Sequence, residues 1–336
     1  MRRLAAAILG LALGLVLMAG AAVWWGTQRY AAPGPLAKPT TVVIPKGAGR
    51  DAILRRLLAA RIIEDPVLFR IALRLTGTAA KLKAGEYRFA ARISIARVIE
   101  RMVAGKTVLR QFIALEGKTT FEILERLRAT EGLKAEITEK AGEGALLPET
   151  YSFVLGDKRD ALVARMREAM TKTLDALWQK RAPGLPFKSK QEALILASIV
   201  EKETGVAAER GRVAAVFVNR LRKKMRLQTD PTVIYGITKG KGPLGRPLRK
   251  RDLATKTAYN TYLIDGLPPG PIANPGRAAI AATLNPQKTD ELYFVADGTG
   301  GHVFAKTLAE HNRNVRRWRK IERKIRQDKK MKKNDN

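Results

Sequence analysis

At 336 residues the chain is longer than one hydrophobic core usually serves, so two domains are expected. Hydrophobic residues make up 46% and charged residues 28%, which excludes a wholly disordered protein. Lys and Arg number 63 against 31 Asp and Glu, and the net charge of +32 attracts nucleic acid, anionic lipid or a polyanionic glycan without choosing among them. There is no cysteine, which removes disulfides, thiolate catalysis and Cys-ligated zinc. With only two histidines, His302 and His311, a His-rich metal site is disfavoured, and neither a metal nor a cofactor is expected.

Residues 1–3 hold Arg2 and Arg3, and the uncharged run Leu4 to Gly26 follows. As a helix that run measures about 35 Å, enough to cross a bilayer. The arginines ahead of it favour a cytoplasmic N-terminus, and Trp24, Trp25 and Tyr30 suit the far interface, which puts the remaining chain outside the cytoplasm. Two rival readings stand beside the anchor. Ala19-Gly20-Ala21 has the small-x-small form of a signal-peptide cleavage site, and a buried globular helix is the other option, although the run has no polar face. Residues 27–40 read as a linker, with three prolines and a glycine between Ala31 and Thr40.

A first module is expected over residues 41–110. Thr41 to Ile44 is a β-branched strand, Gly47 to Ala60 and Pro66 to Leu75 carry apolar residues at helical spacing, and Gly85 to Phe89 reads as a second strand. Its opening recurs 70 residues on, where Gly47, Ile53, Leu54, Arg56 and Leu57 face Gly117, Ile123, Leu124, Arg126 and Leu127, so an internal duplication is plausible. Asp160 to Trp178 is an amphipathic helix, followed by turn chemistry at Pro183 to Pro186. Ser189 and Glu192 then form a capping-box pattern ahead of an apolar helix through Val200 that Gly205 can stop. Arg210 to Leu227 is another helix, and Leu292 to Ala296 and His302 to Phe304 flank a glycine-rich hairpin turn. From Arg313 to Lys333 there are twelve Lys or Arg against Glu322 and Asp328, a basic amphipathic helix expected to fade into disorder, to favour anionic surfaces and to be dispensable for catalysis; the alternative is an ordinary solvated helix with Trp318 packed on the catalytic domain.

The chemistry concentrates in Leu196 to Thr204, LASIVEKET, where an apolar helix ends in two carboxylates. Apolar surroundings and the negative end of the helix dipole both disfavour a charged carboxylate and raise its pKa towards that of a general acid. Glu201 and Glu203 are two residues apart and face different ways, so one acts alone or neither does. The plainer reading is a solvated helix end whose glutamates pair with Lys202 and Arg210. Downstream, Asn219, Gln228, Tyr235, Tyr259, Asn260 and Tyr262 supply the amides and aromatic faces that bind sugars, though singly each is as readily a core or turn residue. Gly117-Lys118-Thr119 is not a phosphate loop, because the glycine needed five residues earlier is Phe112. The loop Gly266 to Gly276, GLPPGPIANPG, is rigid enough to wall a cleft.

Four ordered segments carry a resemblance: LASIVEKET from Leu196, VFVNRLRKKMRLQTDPTVIYG from Val216, TAYNTYLIDGLPPGPIANPG from Thr257, and LYFVADGTGGHVF from Leu292 with EHN at Glu310. In these the chain resembles the YceG-like (MltG) family of endolytic murein transglycosylases. The resemblance implies an α+β protein with a single N-terminal transmembrane helix over 4–26, a LysM-like module over 41–110, a catalytic domain with lysozyme-like elements over 111–312 and a basic helical tail over 313–336. It implies one catalytic glutamate, at Glu201 by position in the motif, with Glu203 among the substrate-binding residues. It further implies cleavage of the β-1,4 bond between N-acetylmuramic acid and N-acetylglucosamine in peptidoglycan strands to give 1,6-anhydro ends. The enzyme would sit in the cell inner membrane facing the periplasm, with peptidoglycan synthases as partners and no nucleic acid. The competing reading is a membrane-anchored, non-catalytic peptidoglycan-binding adaptor, which predicts binding without turnover.

Overall fold

The computed structural model describes residues 2–334; Met1 of the expected cytoplasmic N-terminus and the last two residues of the expected tail lie outside the described residues. Helix α1 spans Arg2–Ala31, and Ala7–Ala31 within it is long and apolar enough to cross a membrane. It therefore runs five residues past the expected end of the anchor, because nothing in Thr27 to Tyr30 breaks a helix and the first stop is Pro33, which disfavours helical backbone at the residue before it.

The chain divides into two compact units, one built from the chain up to Arg110 with Ser152–Gly156, the other from Gln111–Tyr151 and the chain from Asp157 onward. In the first, β1 (Thr40–Ile44) pairs antiparallel with β2 (Gly85–Phe89), Val42 facing Tyr87, and between them lie α2 (Arg50–Ala59) and α3 (Pro66–Leu75). Helix α4 (Ile95–Ala104) follows, missed in the sequence although Ser94 caps its start through the Arg97 N–H and Gly105 ends it in left-handed backbone. Ile53, Leu54, Leu57, Phe69, Leu73, Tyr87, Phe89, Val98 and Met102 meet in one core.

The duplicated opening recurs as structure. After β3 (Arg110–Ile113) the chain turns at Gly117 into α5 (Thr120–Arg128), as it turns at Gly47 into α2, both glycines adopting the positive φ that side-chain-bearing residues resist. Ile123 and Leu127 are buried as Ile53 and Leu57 are. Strand β4 (Thr150–Phe153) pairs with β3.

The second unit is built round α7 (Lys190–Glu203), whose residues Ala193 to Val200 are all buried. A helix apolar on every side belongs in the middle of a domain. It packs against α6 (Arg159–Gln179), α8 (Arg210–Arg222), α9 (Asp230–Thr238) and α11 (Arg277–Leu284), while the short α10 (Lys250–Leu253) lies against α9. Helix α8 stops five residues short of the expected Leu227, because Lys224 takes up left-handed backbone and the buried Arg220 guanidinium donates to the Leu227 carbonyl at 2.7 Å and the Leu292 carbonyl at 2.7 Å, tying down the irregular segment that follows.

Strands β5 (Tyr293–Ala296) and β6 (His302–Ala305) form the expected hairpin. The basic tail differs from expectation in extent, and its contacts follow the alternative in which Trp318 packs on the fold. Helix α12 spans Leu308–Asn334, starting five residues before the expected boundary and staying helical through to Asn334. Trp318 and Ile321 lie against Gly298 of the hairpin turn, so close that a Cβ there would meet Ile321 at 2.7 Å. His311 stacks on Tyr293 at 5.1 Å between centroids. The first turns of the tail are thus part of the fold, and truncation after Asn312 would remove Trp318 and Ile321 from that contact.

Candidate active site

The last turn of α7 delivers Glu201 and Glu203 to two different environments, as a 100° step per residue requires. Glu201 is partly exposed and accepts a 2.9 Å hydrogen bond at Oε2 from the Gly276 N–H, at the end of the 266–276 loop. Burial raises its pKa above the ordinary carboxylate value and the Glu116 carboxylate raises it further, against the opposing pull of the Gly276 N–H, Arg210 and Lys202. Glu203 accepts from the Thr229 hydroxyl and has its pKa raised by burial and by Asp230.

Three features meet at Gly276. Its N–H holds Glu201, its Cα has no side chain, and Glu116 Oε1 occupies the place a Cβ would take. Any larger residue would push Glu116 away. Glu116 comes from the turn of the duplicated strand–turn–helix, where Gly117 also abuts Glu201 and Lys202, and where the Lys202 Nζ donates to the Gly117 carbonyl at 3.2 Å.

The loop is fixed from below by Asn274, which is fully buried. Its Oδ1 accepts from the Leu146 N–H at 2.8 Å, and its Nδ2 donates to the Lys118 carbonyl and the Thr120 hydroxyl at 3.1 Å each and to Glu143 Oε1 at 3.3 Å. Its backbone pairs with Lys118 and Gly117. On α7 itself, the buried Ser198 hydroxyl accepts from the Ile272 N–H at 3.0 Å, so the helix that carries Glu201 also holds the loop. Glu143 in turn accepts from the Thr120 N–H and the Tyr235 hydroxyl, and burial raises its pKa. Tyr235 packs on Tyr259 with centroids 4.7 Å apart. A continuous series of contacts therefore links Glu201 through Gly276, Asn274 and Glu143 to an aromatic pair.

Of the residues expected to bind sugar, Tyr235 and Tyr259 belong to this series. Gln228 is exposed, held in left-handed backbone between the buried Leu227 and Thr229. Tyr262 donates its hydroxyl to Asp230 at 2.7 Å, on the Glu203 side. The two asparagines are engaged elsewhere. Asn219 donates its amide to the Thr289 and Glu291 carbonyls, and Asn260, fully buried, donates to the Leu253 and Thr255 carbonyls while accepting from the Tyr262 N–H. Both organise turns, a role their composition does not reveal.

Glu116, Glu143, Asn274 and Gly276 were not singled out in the sequence. The signal for the last two lies in the glycine- and proline-rich loop, where an asparagine amid rigid backbone is well placed to satisfy buried polar groups. Glu116 has a consequence that can be measured. A general acid must be protonated to act, and the protonated share of Glu201 falls as pH rises through its pKa. Glu116→Gln removes a neighbouring negative charge, lowers that pKa and is expected to move the alkaline limb of the kcat/KM profile to lower pH; an unmoved limb would show that Glu116 does not act on Glu201.

A carboxyl of raised pKa such as Glu201 can deliver one proton and take one back. Residues 42–317 match the YceG-like family, and the chain belongs to it. An endolytic murein transglycosylase of Bacillus subtilis is 32% identical over 303 residues, covering 80% of this chain and 82% of that protein. One of Streptococcus pneumoniae is 29% identical over 330 residues, covering 83% of this chain and 58% of the longer relative. The crystal structure of a YceG-like protein of Listeria monocytogenes is 31% identical and aligns over 82% of this chain and 99% of that one, with a TM-score of 0.49.

Proposed function

We propose that this chain is an endolytic murein transglycosylase, a carbon–oxygen lyase that cuts the β-1,4 bond between N-acetylmuramic acid and N-acetylglucosamine within peptidoglycan strands. The observation that carries the reading is Glu201, a carboxyl whose pKa is raised by burial and which the Gly276 N–H orients from one side. Family membership and the names of the relatives supply the substrate class.

The chemistry follows from one acid used twice. Protonated Glu201 donates its proton to the glycosidic oxygen as the bond from that oxygen to C1 of the muramoyl sugar breaks, and the departing N-acetylglucosamine leaves as an alcohol. The resulting carboxylate accepts the proton of the muramoyl C6 hydroxyl while its oxygen bonds to C1. The 1,6-anhydro ring forms, the acid is restored and no water is consumed. A hydrolase of the retaining kind needs a second carboxylate as nucleophile, whereas here the substrate's own hydroxyl takes that part.

The proposal extends to location and partners. α1 serves as a single-pass anchor in the cell inner membrane, the chain that follows it lies in the periplasm, and the first unit supplies a LysM-like glycan-binding module and the second a catalytic domain of lysozyme-like character. Supporting this are the apolar length of Ala7–Ala31, the two arginines ahead of it and the strand–helix–helix–strand order of β1, α2, α3 and β2. Peptidoglycan synthases, which make the strands this enzyme would cut, are the expected protein partners. The test of endolytic action is the size distribution of products from long uncrosslinked strands. Internal cutting gives an early fall in mean strand length with few disaccharides, and steady release of disaccharides from full-length strands would contradict it.

A further inference from the structure

One face of α3 is left largely exposed by the described residues. Val67, Ile71 and Leu75 follow one another at four-residue spacing and so form a single stripe, and they are 60%, 48% and 81% exposed. The opposite face, Phe69, Ala72 and Leu73, is sunk in the core of the unit, so the stripe is not a helix placed the wrong way round. A stripe of three large aliphatic side chains in water is unfavourable unless something apolar meets it.

Its position indicates what does. Asp65 and Leu68, at the start of α3, lie with Arg29 and Ala32 to Pro35 at the C-terminal end of α1. From there a groove of about 480 Å³ continues along both helices, between Ala22, Val23, Trp25 and Gly26 of α1 and Val67, Ile71 and Leu75 of α3. Leaving the foot of the module, α3 therefore turns back alongside the last turns of the apolar helix. Val23, Trp24 and Trp25 are themselves more than half exposed, so the apolar surface of α1 and the stripe of α3 are continuous. The charges agree. From Pro66 to Lys83 there is no acidic residue, while Arg70, Arg74, Lys81 and Lys83 are present; among the described residues only Arg70 of these four is in an ion pair, with Asp51 at 3.0 Å. An apolar stripe bordered by cations is what an anionic lipid surface receives.

We propose that α3 is a second membrane contact, lying in the outer interface of the bilayer that α1 crosses, with Val67, Ile71 and Leu75 among the acyl chains and Arg74, Lys81 and Lys83 at the headgroups. The proposal rests on the reading of α1 as a membrane anchor. Its consequence is geometric: the first unit is held against the membrane surface instead of swinging on a flexible tether.

The absence of cysteine permits a direct test on the full chain. Leu75→Cys and Ile71→Cys, at exposed positions, and Leu15→Cys in the middle of α1 are each labelled with an environment-sensitive fluorophore and reconstituted into nanodiscs of mixed zwitterionic and anionic lipid. Each is then exposed to a lipid-borne spin-label quencher and, separately, to aqueous iodide. The expected result is a blue-shifted emission at Leu75→Cys and Ile71→Cys, quenched several-fold more by the lipid-borne label than by iodide. Leu15→Cys quenched by lipid while Leu75→Cys and Ile71→Cys answer only to iodide would overturn the proposal and leave the anchor standing, and would assign the stripe to a protein partner absent from the disc. Leu15→Cys open to iodide would overturn the anchor, and the proposal with it.

Discussion

Glu201→Gln is expected to reduce turnover of peptidoglycan strands by about 100- to 10,000-fold, the range that loss of a general acid–base group usually produces. The substitution keeps the side chain's size and leaves an oxygen to accept from the Gly276 N–H, but an amide has no proton to give. Because burial and Glu116 hold the Glu201 pKa up, the ionised carboxylate is disfavoured in the folded protein relative to the unfolded chain. Above the unfolded pKa that difference works against stability, and a neutral amide relieves it. At neutral pH the variant is therefore expected to melt no lower than the parent while losing activity, a combination that separates a catalytic group from a structural one. Rates on purified strands and a thermal melt at the same pH check both halves. Turnover close to the parent's would remove Glu201 from the mechanism and favour the adaptor reading.

Asn274→Ala is expected to be the most damaging change outside the carboxylates. It leaves the buried Leu146 N–H without its partner and removes one of the hydrogen bonds that the Lys118 carbonyl and Glu143 accept, at a cost of about 3 kcal/mol. The loop that carries Gly276 should loosen, and with it the grip on Glu201. Urea unfolding should shift to a lower midpoint, and activity at denaturant concentrations where the variant is still folded should fall as well. Asn274→Asp is not expected to rescue it, since the carboxylate can accept from Leu146 but cannot donate to Lys118 and adds a charge beside Glu143. A midpoint unchanged in the Ala variant would mean that the loop is held by its backbone pairing and by Ser198 alone.

The parts of this protein that could be read from its sequence are those governed by local rules. α7 is legible because Ser189 caps it and an uninterrupted apolar run fills it, and the β5–β6 hairpin because two short strand patterns flank three glycines. The apolar N-terminal helix was legible from its uncharged run but not at its end, since the helix continues until proline stops it. Helix α4 obeys the same local rules, with Ser94 and Gly105 as its caps, and could have been found.

The site is a different matter, because its parts come together only through the tertiary fold. No local rule brings Glu116 from a turn after β3 to Gly276 at the head of α11, or aims the Asn274 amide at Lys118 and Glu143. Asn219 and Asn260 show the reverse difficulty: amides that suit a sugar equally suit a backbone carbonyl, and composition does not say which they will meet. Which of Glu201 and Glu203 carries the chemistry was likewise undecided by helix periodicity. The structure gives them separate surroundings, Glu201 at the loop and Glu116, Glu203 at Thr229 and Asp230.

The central claim is that Glu201 breaks the glycan without water, giving its proton to the glycosidic oxygen and taking one back from the substrate's own C6 hydroxyl. Cleavage carried out in heavy-oxygen-labelled water tests it most directly, with the new muramoyl ends isolated and weighed. The account predicts 1,6-anhydro ends that contain no oxygen from the solvent. Reducing muramoyl ends carrying the heavy oxygen would mean that water attacks C1, and the mechanism would be a hydrolysis.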